Sequence, residues 1–240
     1  MSPARRTRAL QAFTIAIGTL PAASLAVSAF TDGLGANPVE QVTHVTGDWA
    51  LRFLLLSLSV TPLRHLFGWS WAAPLRRTLG LAAFGYACLH YLIYLGLEHF
   101  FDWQLIVEDV LKRRYVWAGF AAFLCLVPLA VTSTRAMIRR LGRRWASLHR
   151  LVYLAAALGV VHFLWLVKSD HREPLLYGAV LALLLGLRLW FRLARSRTGK
   201  PTPNEAKLQM PGAQSEFVSD SAPPGLVLSA NVQRPIRRKP

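Results

Sequence analysis

One run, residues 145–167 (WASLHRLVYLAAALGVVHFLWLV), limits what this chain can fold into. A helix crosses the ~30 Å hydrocarbon core of a bilayer with about 20 apolar residues, and this run is long enough. Two histidines interrupt it, His149 near one end and His162 near the other. An ionisable side chain at membrane depth is expensive and marks a functional site by default. Read as one helix, their separation is a rise of about 20 Å, so a single span presents an imidazole near each face. The rotation fits less neatly, because an ideal straight helix points the two side chains about 140° apart.

Five more apolar runs accompany it, at 9–30, 49–66, 78–97, 115–133 and 174–191. The second is the weakest, interrupted by Arg52 and Pro62. The first follows a basic start and ends in small residues, as a cleaved signal would, but its length and the later spans favour a retained helix. The chain is 53% hydrophobic and carries 28 Lys and Arg against 12 Asp and Glu, a net charge of +16. Nucleic-acid binding needs such charge on a folded soluble platform. Here the bases lie mostly between the apolar runs and in the tail, as in a polytopic membrane protein. The expected fold is all-α, a membrane bundle of six transmembrane helices over 9–195. A basic cytoplasmic N-terminus (1–8) precedes it, and a Pro-, Ser- and Gly-rich cytoplasmic tail (196–240) that reads as disordered follows. The tail is too short for a flavin or dinucleotide domain, no GxGxxG or GxxxxGKS loop is present, and no internal repeat is evident. Cys88 and Cys125 form neither a CxxC pair nor a CxxCH motif, so neither a disulfide framework nor covalent haem is indicated.

Depth organises the histidines. His90 lies eight residues before Glu98 at the outer end of the third run, and His162 six before Lys168 at the outer end of the fifth. Those depths agree within about 3 Å, which places the pair to hold one haem between two helices. His149 lies near the inner face, where Arg76 and Arg77 stand at the matching depth of the third run. Arginine cannot ligate iron but pairs with carboxylate or anionic lipid. His65 is the spare candidate opposite His149, and His44, His99 and His171 fall in loops or at helix ends. A lone intramembrane histidine also serves as an interhelical hydrogen-bonding group. A transporter with a histidine proton relay and a scaffold with packing histidines therefore stand as alternatives, although no acid lies inside a predicted span.

Several stretches carry a resemblance. Gly33-Leu34-Gly35-Ala36-Asn37-Pro38-Val39 is followed by His44-Val45-Thr46-Gly47, and Arg76-Arg77-Thr78-Leu79-Gly80-Leu81 leads to Leu89-His90. Thr132-Ser133-Thr134 leads to Leu141-Gly142-Arg143-Arg144-Trp145, and Leu148-His149 to Val161-His162-Phe163-Leu164-Trp165. In this order and on these spans, over roughly residues 8–192, the chain resembles the MsrQ (YedZ) family, within the wider ferric-reductase-like transmembrane family. The resemblance implies a haem b electron-transfer subunit of the bacterial inner membrane, associated with FMN and distinct from the catalytic subunit. Such a subunit takes electrons from the respiratory quinone pool and passes them to a periplasmic molybdopterin enzyme that reduces methionine sulfoxide in oxidised proteins. His90, His149 and His162 match the family's haem-linked histidines. Another ferric-reductase-like or cytochrome b-type carrier is the nearest alternative.

Clustered arginines mark one face, at 5–8, 64–77, 135–144 and 192–197, while Glu40, Asp48, Glu98, Asp102, Glu108 and Asp109 mark the other. The positive-inside rule then puts both termini in the cytoplasm. Reporter fusions placed after Phe100 and after Ser196 are expected to report outside and inside respectively; the reverse pattern would invert every depth assigned above.

Overall fold

The computed structural model describes residues 3–31 and 33–197. The tail expected to be disordered lies outside the described residues, apart from the end of the last helix. The described residues form helices and turns without strands. Nine α-helices run in chain order among the described residues: α1 (Pro3–Phe30), α2 (Pro38–Phe67), α3 (Leu75–Ile93), α4 (Trp103–Lys112), α5 (Arg114–Val131), α6 (Arg135–Leu141), α7 (Arg143–Leu148), α8 (Leu151–Leu166) and α9 (Arg172–Arg197). Among the described residues, six helical stretches are long and apolar enough to span a membrane. Together with the polar ends of each span, they make the chain a multi-pass membrane protein.

The departures from the sequence reading have local causes. Helix α2 begins at Pro38 rather than near Trp49, because Pro at the first turn favours a helix start. That brings His44 and Asp48 into the helix, correcting the expectation that no acid lies inside a span. Asp48 is not isolated: Arg52 approaches it at 3.4 Å and donates from Nε to the Tyr177 hydroxyl at 2.7 Å. The run at 145–167 is not one helix either. It breaks at His149 and Arg150, between α7 and α8, so the rotation of a straight helix does not relate His149 to His162. Helix α3 ends in a π-helical turn, Tyr94–Glu98, and the short helices α4 and α6 lie in what read as loops.

Packing proceeds in pairs. Helix α2 lies mainly against α3, and α5 mainly against α8, with α3–α5 and α2–α8 contacts joining the pairs. Small residues let the helices approach: Ala83, Ala155 and Ala156 are at most 1% exposed. Leu54, Leu58, Leu126 and Val152 fill the core around them. Arg188 of α9 is also buried, donating to the Tyr153 hydroxyl and the Leu58 carbonyl, each at 2.5 Å. Its Nε is buried without a hydrogen-bond partner among the described residues.

One hydroxyl helps to tie in helix α1. Pro21 has no N–H to give its helix, and beside it Tyr86 of α3 accepts from the Ala22 N–H at 3.0 Å and donates to the Gly18 carbonyl at 2.7 Å. Where water is absent, backbone groups depend on such partners. Tyr86→Phe is therefore expected to destabilise the α1–α3 contact by about 1–3 kcal/mol, read as a lower thermal midpoint in detergent with the helical content unchanged.

Candidate cofactor site

Two histidines meet where the helix pairs meet. The rings of His90 on α3 and His162 on α8 lie 6.1 Å apart, centre to centre, and nearly perpendicular at 82°. Each Nδ1 reaches a main-chain carbonyl on the neighbouring helix: His90 that of Thr43 on α2 at 3.0 Å, and His162 that of Tyr115 on α5 at 2.7 Å. A carbonyl only accepts, so Nδ1 carries the proton in both rings and Nε2 keeps its lone pair. This is the arrangement by which outer-shell contacts orient metal-binding imidazoles.

The approach depends on two glycines. In each case the residue four positions after the accepting carbonyl is glycine, Gly47 after Thr43 and Gly119 after Tyr115. A Cβ on Gly119 would stand 2.7 Å from Nδ1 of His162, and one on Gly47 would stand 3.1 Å from Cε1 of His90. Each histidine lies 47 residues after its carbonyl. The two constellations are related by a shift of 72 residues that also superposes Ala50 on Ala122, Leu54 on Leu126 and Ala83 on Ala155. The two halves therefore share one spacing of glycine and histidine, too sparse to notice before the histidines are paired. The glycines themselves were missed.

The imidazoles line a cavity of about 660 Å³. Its walls include Leu54, Ala87, Phe120, Leu126 and Ala155, and its polar lining includes Glu40, His44, Asp48, Glu98 and Arg113. Among the described residues no group of three or more His, Cys, Asp or Glu could hold a bare metal ion. A metal centre held by His90 and His162 must bring its remaining ligands with it.

Of the other histidines only His44 joins His90 and His162 in the cavity lining. His149 stacks on Trp145 with ring centres 3.9 Å apart and bonds the Trp145 carbonyl through Nδ1 at 3.2 Å. Trp145 is fixed in turn by its indole N–H on the Thr132 carbonyl at 3.0 Å. His65 lies against Phe191 of α9. His99, placed by the sequence in a loop or at a helix end, is largely buried beside Asp109, at 3.7 Å. His44 lines the cavity and approaches Glu40 at 3.8 Å.

Residues 46–160 match the family described as ferric reductase like transmembrane component. A relative from Rhodospirillum rubrum is 55% identical over 168 residues, 70% of this chain and 81% of its own. One from Herminiimonas arsenicoxydans is 50% identical over 72% of this chain and 80% of its own, and one from Azospira oryzae 48% identical over 84% and 86%. All three are named protein-methionine-sulfoxide reductase heme-binding subunit MsrQ. The chain belongs to the MsrQ family. No solved structure matches it. MsrQ membership agrees with the resemblance carried by the loop and histidine motifs, and the family match includes both glycines, His90 and His149.

The glycine contacts can be tested without any cofactor. Gly119→Ala forces a methyl group into His162 and is expected to destabilise the protein by about 1–3 kcal/mol. Gly85→Ala, which meets nothing within 4 Å, is expected to be neutral or to stabilise α3 by about 0.5–1 kcal/mol. Thermal unfolding of the two variants side by side checks both.

Proposed function

We propose that the chain is the haem-bearing, membrane-embedded electron-transfer subunit of a bacterial methionine-sulfoxide reductase system, with a b-type haem held between His90 and His162. The observation that carries the reading is the matched pair of imidazoles. Both are fixed as the Nδ1–H tautomer, and both leave an Nε2 lone pair at the border of one largely apolar cavity. An imidazole bonded through Nε2 at about 2 Å would set its ring centre about 3 Å from a metal, so His90 and His162 could hold one metal ion between them. The observed 6.1 Å fits. A porphyrin would supply the ligands that the protein lacks here, and the cavity falls in the range of ordinary cofactor pockets, about 300–1,000 Å³. The relatives' printed names, which specify haem binding, support the same group.

The haem supplies one-electron chemistry, and the protein sets ligands, burial and orientation. His90 and His162 would bind the iron. The Thr43 and Tyr115 carbonyls would hold both rings and raise the donor strength of Nε2. The apolar walls would keep water from the centre.

Electrons would come from the quinone pool on the inner side, with FMN as an associated carrier, and leave to a periplasmic molybdopterin methionine-sulfoxide reductase. On this reading both termini are cytoplasmic and the membrane is the bacterial inner membrane. A depression of about 490 Å³ lined by Met137, Arg140, Leu141, Arg143 and Arg144 offers guanidinium groups to a flavin phosphate. His149, stacked on Trp145 near these arginines in sequence, is the third haem-linked candidate and would serve electron entry.

His162→Ala or His90→Ala is expected to abolish the low-spin bis-histidine absorption spectrum and the electron delivery that depends on it. His171→Ala should leave the spectrum unchanged. His149→Ala should slow reduction from the inner side while the outer haem's spectrum persists. A full low-spin bis-histidine spectrum in His162→Ala would overturn the pairing.

A further inference from the structure

A buried carboxylate outside the histidine pair connects its two halves. Asp109 of α4 is 7% exposed. Its Oδ1 forms an ion pair with Arg113 Nε at 2.6 Å, and its Oδ2 accepts from the Tyr94 hydroxyl at 3.1 Å. Each partner leads to a different histidine. Tyr94 opens the π-helical turn of α3, four residues after His90. Arg113 donates from Nη1 to the hydroxyl of Tyr115 at 2.7 Å, and the carbonyl of Tyr115 accepts from His162. His99 closes the cluster, with Nδ1 on the Tyr94 carbonyl at 3.2 Å and its ring 4.5 Å from the Tyr94 ring.

The half of the site on α2 has its own brace, because the Thr43 hydroxyl donates to Glu98 at 3.0 Å. On the α5 side the corresponding contact is that of the Tyr115 hydroxyl with Arg113. Tyr115 lies in the first turn of α5, immediately after the short link from α4, where helix ends fray unless they are held. Arg113 and Asp109 provide the hold. The buried acid is stabilised in turn, since a carboxylate removed from water needs a cation and hydrogen-bond donors.

We infer that Asp109 is a positioning residue for the proposed haem site, acting through Arg113 and Tyr115 on His162 and through Tyr94 on the end of the His90 helix. The inference rests on the haem reading given above. Asp109 touches neither imidazole, and its effect is transmitted. A fixed Tyr115 carbonyl keeps the Nδ1–H bond of His162 strong, which makes Nε2 a better donor to ferric iron. Loosening that carbonyl weakens the donor, and removing the carboxylate also removes a nearby negative charge. Both changes favour the reduced centre and raise the midpoint potential.

The test uses the full-length protein in detergent or nanodiscs, with redox titration and low-spin spectroscopy of the bound haem. Asp109→Asn is expected to raise the midpoint potential, and Asp109→Glu to return it toward the wild-type value. Tyr115→Phe keeps the carbonyl and loses only the hydroxyl that Arg113 grips, so it should raise the potential in the same direction. If Asp109 acts through this chain, the double variant shifts the potential no further than Asp109→Asn alone; shifts that simply add would overturn the relay. A second readout is independent of the cofactor. In haem-free protein, Asp109→Asn should speed backbone amide exchange over residues 103–119 and leave α1 unchanged. If Asp109→Asn does not accumulate, Arg113→Gln breaks the same link, and an unchanged potential and exchange rate in it would overturn the inference. Wild-type protein without a bis-histidine haem would overturn the haem reading itself, whereas wild-type haem unaffected by Asp109→Asn would overturn only the role of Asp109.

Discussion

Absence of water at membrane depth is the constraint on which the rest of this structure depends. A polar group there has to find a partner within the protein. The imidazoles of His90 and His162 find theirs in main-chain carbonyls of neighbouring helices. Reaching a carbonyl inside a helix is ordinarily blocked by the side chains around it. Gly47 and Gly119 remove that obstruction at the two positions where it matters. The same constraint accounts for the Tyr86 hydroxyl beside Pro21 and for the inward hydrogen bonds of Arg188. Polar contacts thus appear beside Pro21 and at Arg188, His90 and His162.

Paired helices repeat the solution. Thr43, Gly47 and His90 on α2 and α3 correspond to Tyr115, Gly119 and His162 on α5 and α8. The small residues Ala83 and Ala155, at corresponding positions, let each pair approach closely. Away from the histidines the correspondence lapses. The shift that carries His90 onto His162 carries Arg77 onto His149, so at that end of the spans one half has an arginine and the other a histidine. The level of the histidine pair is alike in both halves and the opposite level is not.

The spans were legible in sequence because a bilayer demands length and apolarity, properties that survive without any knowledge of packing. Equal depth of His90 and His162 was legible for the same reason, since it follows from counting residues to a polar boundary. The start of α2 was not, because Glu40, His44 and Asp48 look like loop residues until Arg52 and the cavity are seen to receive them. The short helix α4 escaped notice because ten residues carry no membrane-length signal. Asp109 within it reads as an ordinary surface acid. The break at His149 and Arg150 was hidden by an apolar run that continues through it. Glycines 47 and 119 gave no local cue: their meaning lies in a contact with a side chain 43 residues further along.

The hydrogen bonds at Nδ1 have a consequence for speed. Each imidazole is held by a carbonyl that belongs to a helix, so ring tilt and position are determined by helix packing rather than by a loop. Iron held between them would meet the same two rings, in the same places, whether ferrous or ferric. Electron transfer is slowed by the nuclear rearrangement that accompanies a change of charge, and a site clamped from both sides rearranges little. The two missing methyl groups of Gly47 and Gly119 would therefore lower the reorganisation energy of the centre, an effect on rate from atoms that are not there.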